Sequence, residues 1–387
     1  MIYLDHAATS FPKPRAVIEE MRRCMTQYGG NPGRSGHALS LAASNKIFEC
    51  RTLAASLFGV DDPARVFFTM NTTQALNTVI KGTLREGDHV LISDLEHNAV
   101  YRPIVKLAEE GKITYDVFPT MVGDIRQSVT RICAGIARLR RPETRMVIAT
   151  AASNICSAML PIAEIGAFCH RHGVLFVVDG AQAAGHLPLA VDSLALDALC
   201  VPGHKGLYGP QGCGMVILGK DFVPDSLYEG GNGVDSLSGF MPHESPERFE
   251  AGTLPTPAIA GLCEGLQWVM ERGVDSVHAH EVSLYHRARE GLGNLKGVTM
   301  LAPMYEGAVL SFNVDGLPSE RVAGMLNERG ICVRGGYHCT ALGHKTLGTP
   351  DGGAVRASFG AFNTPYEIDA LVTTVSSIAK ECIRGSF

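Results

Sequence analysis

From about residue 65 to residue 218, short apolar runs alternate with segments whose apolar residues recur every three or four positions. The runs predict strands over 65–68, 89–93, 114–118, 146–150, 175–178, 198–201 and 215–218. The periodic segments between them predict helices over 73–82, 100–110, 125–138 and 162–172. A strand that is apolar throughout is covered on both faces, so this alternation predicts a mostly parallel seven-stranded sheet with helices on either side. Ahead of it, helical patterns over 15–28 and 39–58 are separated by Gly29-Gly30-Asn31-Pro32-Gly33. Behind it, 257–290 reads as long helix broken near Gly273. A smaller α+β section follows, with strands over 308–314, 332–334 and 355–359 and helices over 320–329 and 366–384. The expected division is a large unit over 15–268 and a small one over 269–387, with residues 1–14 packing on the small unit.

Composition narrows the function. A hydrophobic content of 45% against 19% charged residues describes a globular chain, not a disordered one. A net charge of −5 with no basic cluster argues against a nucleic-acid partner. The opening Met1-Ile-Tyr-Leu-Asp5-His6 lacks the pattern of a secretory leader, and no apolar run is long enough to span a bilayer, so the expected location is the cytoplasm and not a membrane. The 11 cysteines include no C-x-x-C pair, which suits reduced thiols without a disulfide framework or a metal site. Cys169, Cys200 and Cys263 lie in apolar surroundings and read as small core residues.

Chemistry concentrates around one lysine. The strand over 198–201 ends at Pro202-Gly203, delivers His204-Lys205, and is followed by Gly206, Gly209, Gly212 and Gly214. Glycines let backbone pass close to a bulky group, and a lysine set there can lose solvent, which lowers its pKa and frees its lone pair for imine chemistry. Other polar residues fall where strands end, the edge at which open α/β sheets carry their sites. Asn71-Thr72-Thr73 offers hydroxyls and free N–H groups at a helix start, suited to a phosphate or, more ordinarily, to capping. His97 follows the 89–93 strand and is either a ring stacker or a surface histidine. Ser153-Asn154 follows the 146–150 strand. Asp179 closes a strongly apolar run, where an uncompensated carboxylate is costly and a cationic ring nitrogen would satisfy it. A phosphate seat, a ring stacker, an acid for a pyridinium and a lysine for an aldehyde together match pyridoxal 5′-phosphate (PLP).

With these residues in view, the chain resembles the class V aminotransferase-like, fold-type I enzymes, in particular their cysteine desulfurase and selenocysteine lyase branch. The resemblance runs nearly end to end, through Asp5-His6-Ala-Ala-Thr9, Gly30-Asn31-Pro32, Asn71-Thr72-Thr73, Glu96-His97, Ser153-Asn154, Asp179-Gly-Ala-Gln182, Gly203-His204-Lys205, Phe249-Glu-Ala-Gly-Thr253 and Arg356-Ala-Ser-Phe-Gly-Ala-Phe-Asn363-Thr364. It implies that Lys205 bonds the cofactor aldehyde, His97 stacks on the ring, Asp179 pairs with the ring nitrogen and Gln182 meets the phenolate oxygen. It further implies that Thr72, Thr73 and His204 hold the phosphate, and that Thr253 reaches the phosphate of a neighbouring subunit in a homodimer. Asn154 and Arg356 would fix the substrate carboxylate, a bidentate task suited to guanidinium. Pro202 departs from the serine of many relatives and removes one phosphate contact.

Arg334-Gly-Gly-Tyr-His338-Cys339-Thr340 follows a short strand. A neighbouring His or Arg can lower a thiol's pKa. The segment resembles the loop carrying the persulfide-forming cysteine, in the short form of the sulfur-mobilisation and selenocysteine-lyase subgroup, which assigns that role to Cys339. The expected activity is removal of sulfur from L-cysteine, giving alanine and a persulfide for an acceptor protein. Release of selenium from L-selenocysteine needs the same residues. Transamination or epimerisation on this scaffold leaves Cys339 without a task, and a silent binding protein leaves the lysine, aspartate and thiol unexplained.

Overall fold

Strand Leu175–Asp179 shows why the central runs are apolar throughout. Phe176 and Val178 enter one core beside Val147, Leu199 and Val201, while Val177 enters another beside Met146, Ile148, Ala198 and Cys200. Successive side chains point to opposite faces of the sheet, and both faces are covered, so every position after the partly exposed Leu175 excludes water. Each fully buried aliphatic side chain here is worth about 1.5–3 kcal/mol.

This computed structural model describes residues 1–33, 36–120, 125–383 and 385, with backbone alone over 125–128. Across the seven-stranded sheet the order is Val66–Thr69, Gly214–Leu218, Ala198–Pro202, Leu175–Asp179, Thr144–Thr150, His89–Ser93 and Thr114–Phe118. Gly214–Leu218 runs antiparallel to both its neighbours, and the other pairings are parallel. The helices between them are Thr72–Thr83, Asn98–Glu109, Ile125–Leu139 and Ile162–Arg171, within two residues of expectation. The fold is therefore α/β with a mostly parallel sheet and helices on both faces. Among the described residues no helix is long and apolar enough to cross a membrane.

N-terminal helices Arg15–Arg23 and Ala38–Leu57 pack on Thr256–Arg272. Gly273, at φ 82°, separates that last helix from Val274–Gly293 at the expected break. A second core, holding Leu4, Leu284, Phe312, Val355 and Leu371, surrounds a four-stranded sheet with Val309–Val314 and Ala354–Ser358 at its centre. The strand expected over 332–334 is in fact two. Ile331–Cys332 pairs in parallel with Ile2–Tyr3, and Arg334–Gly336 pairs with Ala354–Ser358, with the chain changing partners at Val333. The N-terminal residues are thus tied to this second body, through that pairing and through the Leu4 carbonyl, which accepts the Ser358 N–H at 2.8 Å. Val298–Leu301 and Ala341–Thr346 lie outside the expected elements, and the helix expected over 15–28 is α-helical over Arg15–Arg23 and π-helical over Cys24–Tyr28.

Candidate active site

The carboxyl ends of four parallel strands, with the turn after Val66–Thr69, open into a cavity of about 230 Å³. Thr72, Thr73, His97, Asn154, Asp179, Gln182, His204, Lys205, Cys339 and Arg356 all line it. Of the site residues expected from the sequence, Thr253 alone lies elsewhere, in an open groove beside Gly33 and Asn232.

Lys205 is carried by a turn with no room for side chains. A Cβ on Gly206 would sit 2.3 Å from the Ala184 carbonyl oxygen and 2.4 Å from His186 Nε2. Loss of solvent pushes the Lys205 amine down to about 8; the Asp179 charge pulls it back up, while Arg356 and Arg334 push it further down. A fraction of it is therefore neutral, and nucleophilic, near physiological pH. Asp179 is 2% exposed, and its Oδ1 accepts the Ala181 N–H at 2.9 Å. Burial raises its carboxyl above the usual range, and no ion pair joins it among the described residues. A buried carboxylate at the cavity wall, with a backbone N–H as its hydrogen-bond partner and no ion pair, fits a pyridinium nitrogen.

Of the two readings of Asn71-Thr72-Thr73, the structure shows the capping one directly. Asn71 caps helix Thr72–Thr83 by accepting the Gln74 N–H at 2.9 Å. Thr72 Oγ1 is buried without a hydrogen-bond partner, and so is His204 Nδ1 across the same cavity. Orphaned polar atoms beside a helix N-terminus are what a phosphate group satisfies, so the residues present fit PLP. His97 caps Asn98–Glu109, its Nδ1 accepting the Ala99 N–H at 3.0 Å. Burial, and then Lys205 and Arg356, push His97 down to about 4, which leaves a neutral ring able to stack. Gln182 Nε2 donates to the Ala7 carbonyl at 3.0 Å.

Arg356 is 2% exposed. Its Nη1 donates to the Asn154 carbonyl at 2.9 Å and its Nη2 to Asp5 Oδ1 at 2.8 Å, while Nε has no partner. Asn154 Nδ2 donates to the His338 carbonyl at 2.6 Å, so the asparagine faces the thiol loop as well as the cavity. That loop holds two successive non-glycine residues at positive φ, His338 at 51° and Cys339 at 55°, a conformation costing about 1–3 kcal/mol each. The Asn98 N–H and Thr340 Oγ1 help to hold it, the latter donating to the Glu96 carbonyl at 3.1 Å. Cys339 is exposed at the cavity rim and lies close enough to Arg356 for charge interaction. Burial pushes the neighbouring His338 down to about 3, so that ring is neutral.

Sequence reasoning gave Asp5 and Glu96 no task. Glu96 is fully buried, pushed up to about 8 by burial, and accepts the Thr150 N–H at 2.7 Å behind the His97 turn. The Asp5–Arg356 pair joins residues 351 apart and leaves no local signal. Among the described residues no cluster of His, Cys, Asp and Glu could hold a metal ion.

The aminotransferase class-V family model matches residues 2–371. A probable cysteine desulfurase of Methanothermobacter thermautotrophicus is 32% identical over 98% of this chain and 94% of its own length. The apo cysteine desulfurase of Thermococcus onnurineus superposes with a TM-score of 0.86 at 29% identity, covering 98% of this chain and 94% of that one. A C-DES mutant with glycine covalently linked to its PLP cofactor superposes at 0.80 with 27% identity, covering 97% and 96%.

Proposed function

We propose residue roles for a chain that belongs to the aminotransferase class-V family and is a PLP-dependent cysteine desulfurase. The observation that carries them is the convergence of Lys205, Asp179 and Cys339 on one cavity. Bound PLP supplies an electron sink at the substrate Cα. Lys205 Nζ holds its aldehyde, Asp179 its ring nitrogen and Gln182 its phenolate oxygen. His97 lies on the ring, and Thr72, Thr73 and His204 hold the phosphate. Pro202, with no N–H to donate, offers that phosphate nothing from its nitrogen.

Arg356 orients the substrate carboxylate through its unpartnered Nε, helped by Asn154. Lys205 Nζ, the amine nearest that sink, would take the proton from the substrate Cα. Cys339 Sγ, as thiolate, attacks the substrate sulfur: an S–S bond forms, the Cβ–S bond breaks with its electron pair left on carbon, Cβ takes a proton equivalent to the one the thiol gave up, and Cα regains the one Lys205 removed, which completes alanine. Sulfur stays on Cys339 as a persulfide until an acceptor protein takes it. Assay of alanine and sulfide from L-cysteine under reductant, comparing wild type with Cys339→Ala, tests this assignment. An unchanged rate removes Cys339 from the reaction.

Thr253 reaches the phosphate held by a second copy of the chain. Its exposed position beside a segment with Leu237 102% and Phe240 86% exposed supports a homodimer built on that face. The proposed division at 268/269 falls inside Thr256–Arg272, a few residues before Gly273; the change of core from that helix to Val274–Gly293 supports a large and a small unit with the boundary nearby. Eleven free thiols suit the reducing cytoplasm.

A further inference from the structure

Residues 9–13 converge on the turn that carries Lys205. The His204 carbonyl oxygen accepts the Ser10 N–H at 3.0 Å, Thr9 Oγ1 at 3.1 Å and Lys13 Nζ at 2.8 Å. Ser10 Oγ donates to the Lys205 carbonyl at 2.8 Å and accepts from Lys13 Nζ at 2.7 Å. Ser10 Oγ also reaches the His204 carbonyl oxygen at 3.1 Å; a carbonyl has two lone pairs, so four donor atoms crowding one oxygen, one of them a cation, fix that peptide more firmly than a turn requires. The same stretch of chain is anchored on the second body at Ile2–Tyr3 and at Ala7, whose N–H donates to Ser358 Oγ at 2.9 Å.

We infer that Lys13 is a positioning residue for Lys205: its ammonium, seated on the His204 carbonyl, fixes the turn from which the Lys205 amine enters the cavity. The inference rests on the proposed role of Lys205 and adds to it. No carboxylate pairs with Lys13 among the described residues, and the titratable groups that feel its charge are His6 and His204. Burial pushes Lys13 down to about 8, so the grip weakens as pH rises through that value.

The test uses apo full-length protein mixed with PLP. Growth of the visible band reports formation of the Lys205–aldehyde bond with loss of water, and borohydride reduction followed by peptide mapping locates it. Lys13→Met is expected to slow capture about tenfold near neutral pH, the scale of a small misplacement of a reacting group. Lys13→Arg, which keeps the cation, recovers most of the rate. The ratio of wild-type to Lys13→Met rates should shrink toward one above about pH 9, a readout in which the titration of Lys205 itself cancels. Ser10→Ala, which removes the hydroxyl shared by Lys13 and the Lys205 carbonyl, also slows capture and serves if Lys13→Met does not fold. Capture at the wild-type rate in these variants, a ratio that does not change with pH, or failure of Lys13→Arg to recover overturns the inference. No borohydride tag on Lys205 in the wild type would instead overturn the proposed role of Lys205.

Discussion

The backbone N–H of Asn98 donates to the carbonyl oxygen of Cys339 across 2.8 Å. The first residue of the helix that His97 caps therefore holds the exposed thiol, and the ring stacker and the sulfur carrier share one frame. The Asn154 bond to the His338 carbonyl completes the hold on a loop whose backbone is otherwise strained.

Asn154→Ala removes that bond and frees the loop. Persulfide formation should fall by about tenfold, while the visible spectrum of bound PLP changes little because the Lys205 side of the cavity is intact. Stopped-flow turnover beside a static absorbance spectrum separates the two effects.

Cys339→Ala should lose at least about 100-fold in alanine formation from L-cysteine with cofactor content unchanged, since it deletes the group that accepts the sulfur. Assays of alanine and of PLP on the same preparation check both halves.

Lys205 sets a pH dependence. Its amine titrates at about 8 and not at 10.5, so the rate at which apo protein bonds PLP should rise roughly tenfold per pH unit below 8 and level off above it. Asp179→Asn removes the negative charge that holds this pKa up, so the midpoint should move lower. Capture rates across a pH series measure both.

The same shift acts on stability with a fixed sign. Between about 8 and 10.5 the unfolded chain holds the Lys205 proton and the folded chain does not, so this residue's contribution to folding rises with pH across that window. Lys205→Met abolishes the term. The apo variant should melt above apo wild type near neutral pH, with a gap that closes toward the upper end of the window. Paired melting curves give the answer.

Asp5→Ala leaves the Arg356 guanidinium buried with its one carboxylate partner gone. A loss of roughly 3 kcal/mol is expected from breaking such a pair, together with a higher KM for L-cysteine as Arg356 shifts. Denaturant titration and steady-state kinetics read the two consequences.

Much of this frame was legible in the residues. The inner strands between Val66 and Leu218 announced themselves because burial on both faces leaves their centres apolar, and the lysine, aspartate and histidine sit where those strands end. What escaped depends on distant partners. Ile2–Tyr3 is too short to carry a pattern and is a strand only because Ile331–Cys332 lies beside it. Val298–Leu301 is an edge strand whose residues are all partly exposed, so it lacks an apolar run. The sequence places a histidine beside Cys339, but only the fold shows that burial keeps His338 neutral. Asn154 reads as a cavity residue, and nothing local shows that it also clasps the His338 carbonyl 184 residues away.

The central claim is that one cavity joins an amine that holds the cofactor to a thiol that takes the sulfur. The direct measurement is mass spectrometry of peptides from PLP-loaded enzyme after a single turnover with L-cysteine in the absence of reductant. One additional sulfur on the peptide containing Cys339, with alanine formed in equal amount, is the predicted result. Alanine formed with the sulfur on another cysteine, or on none, contradicts it.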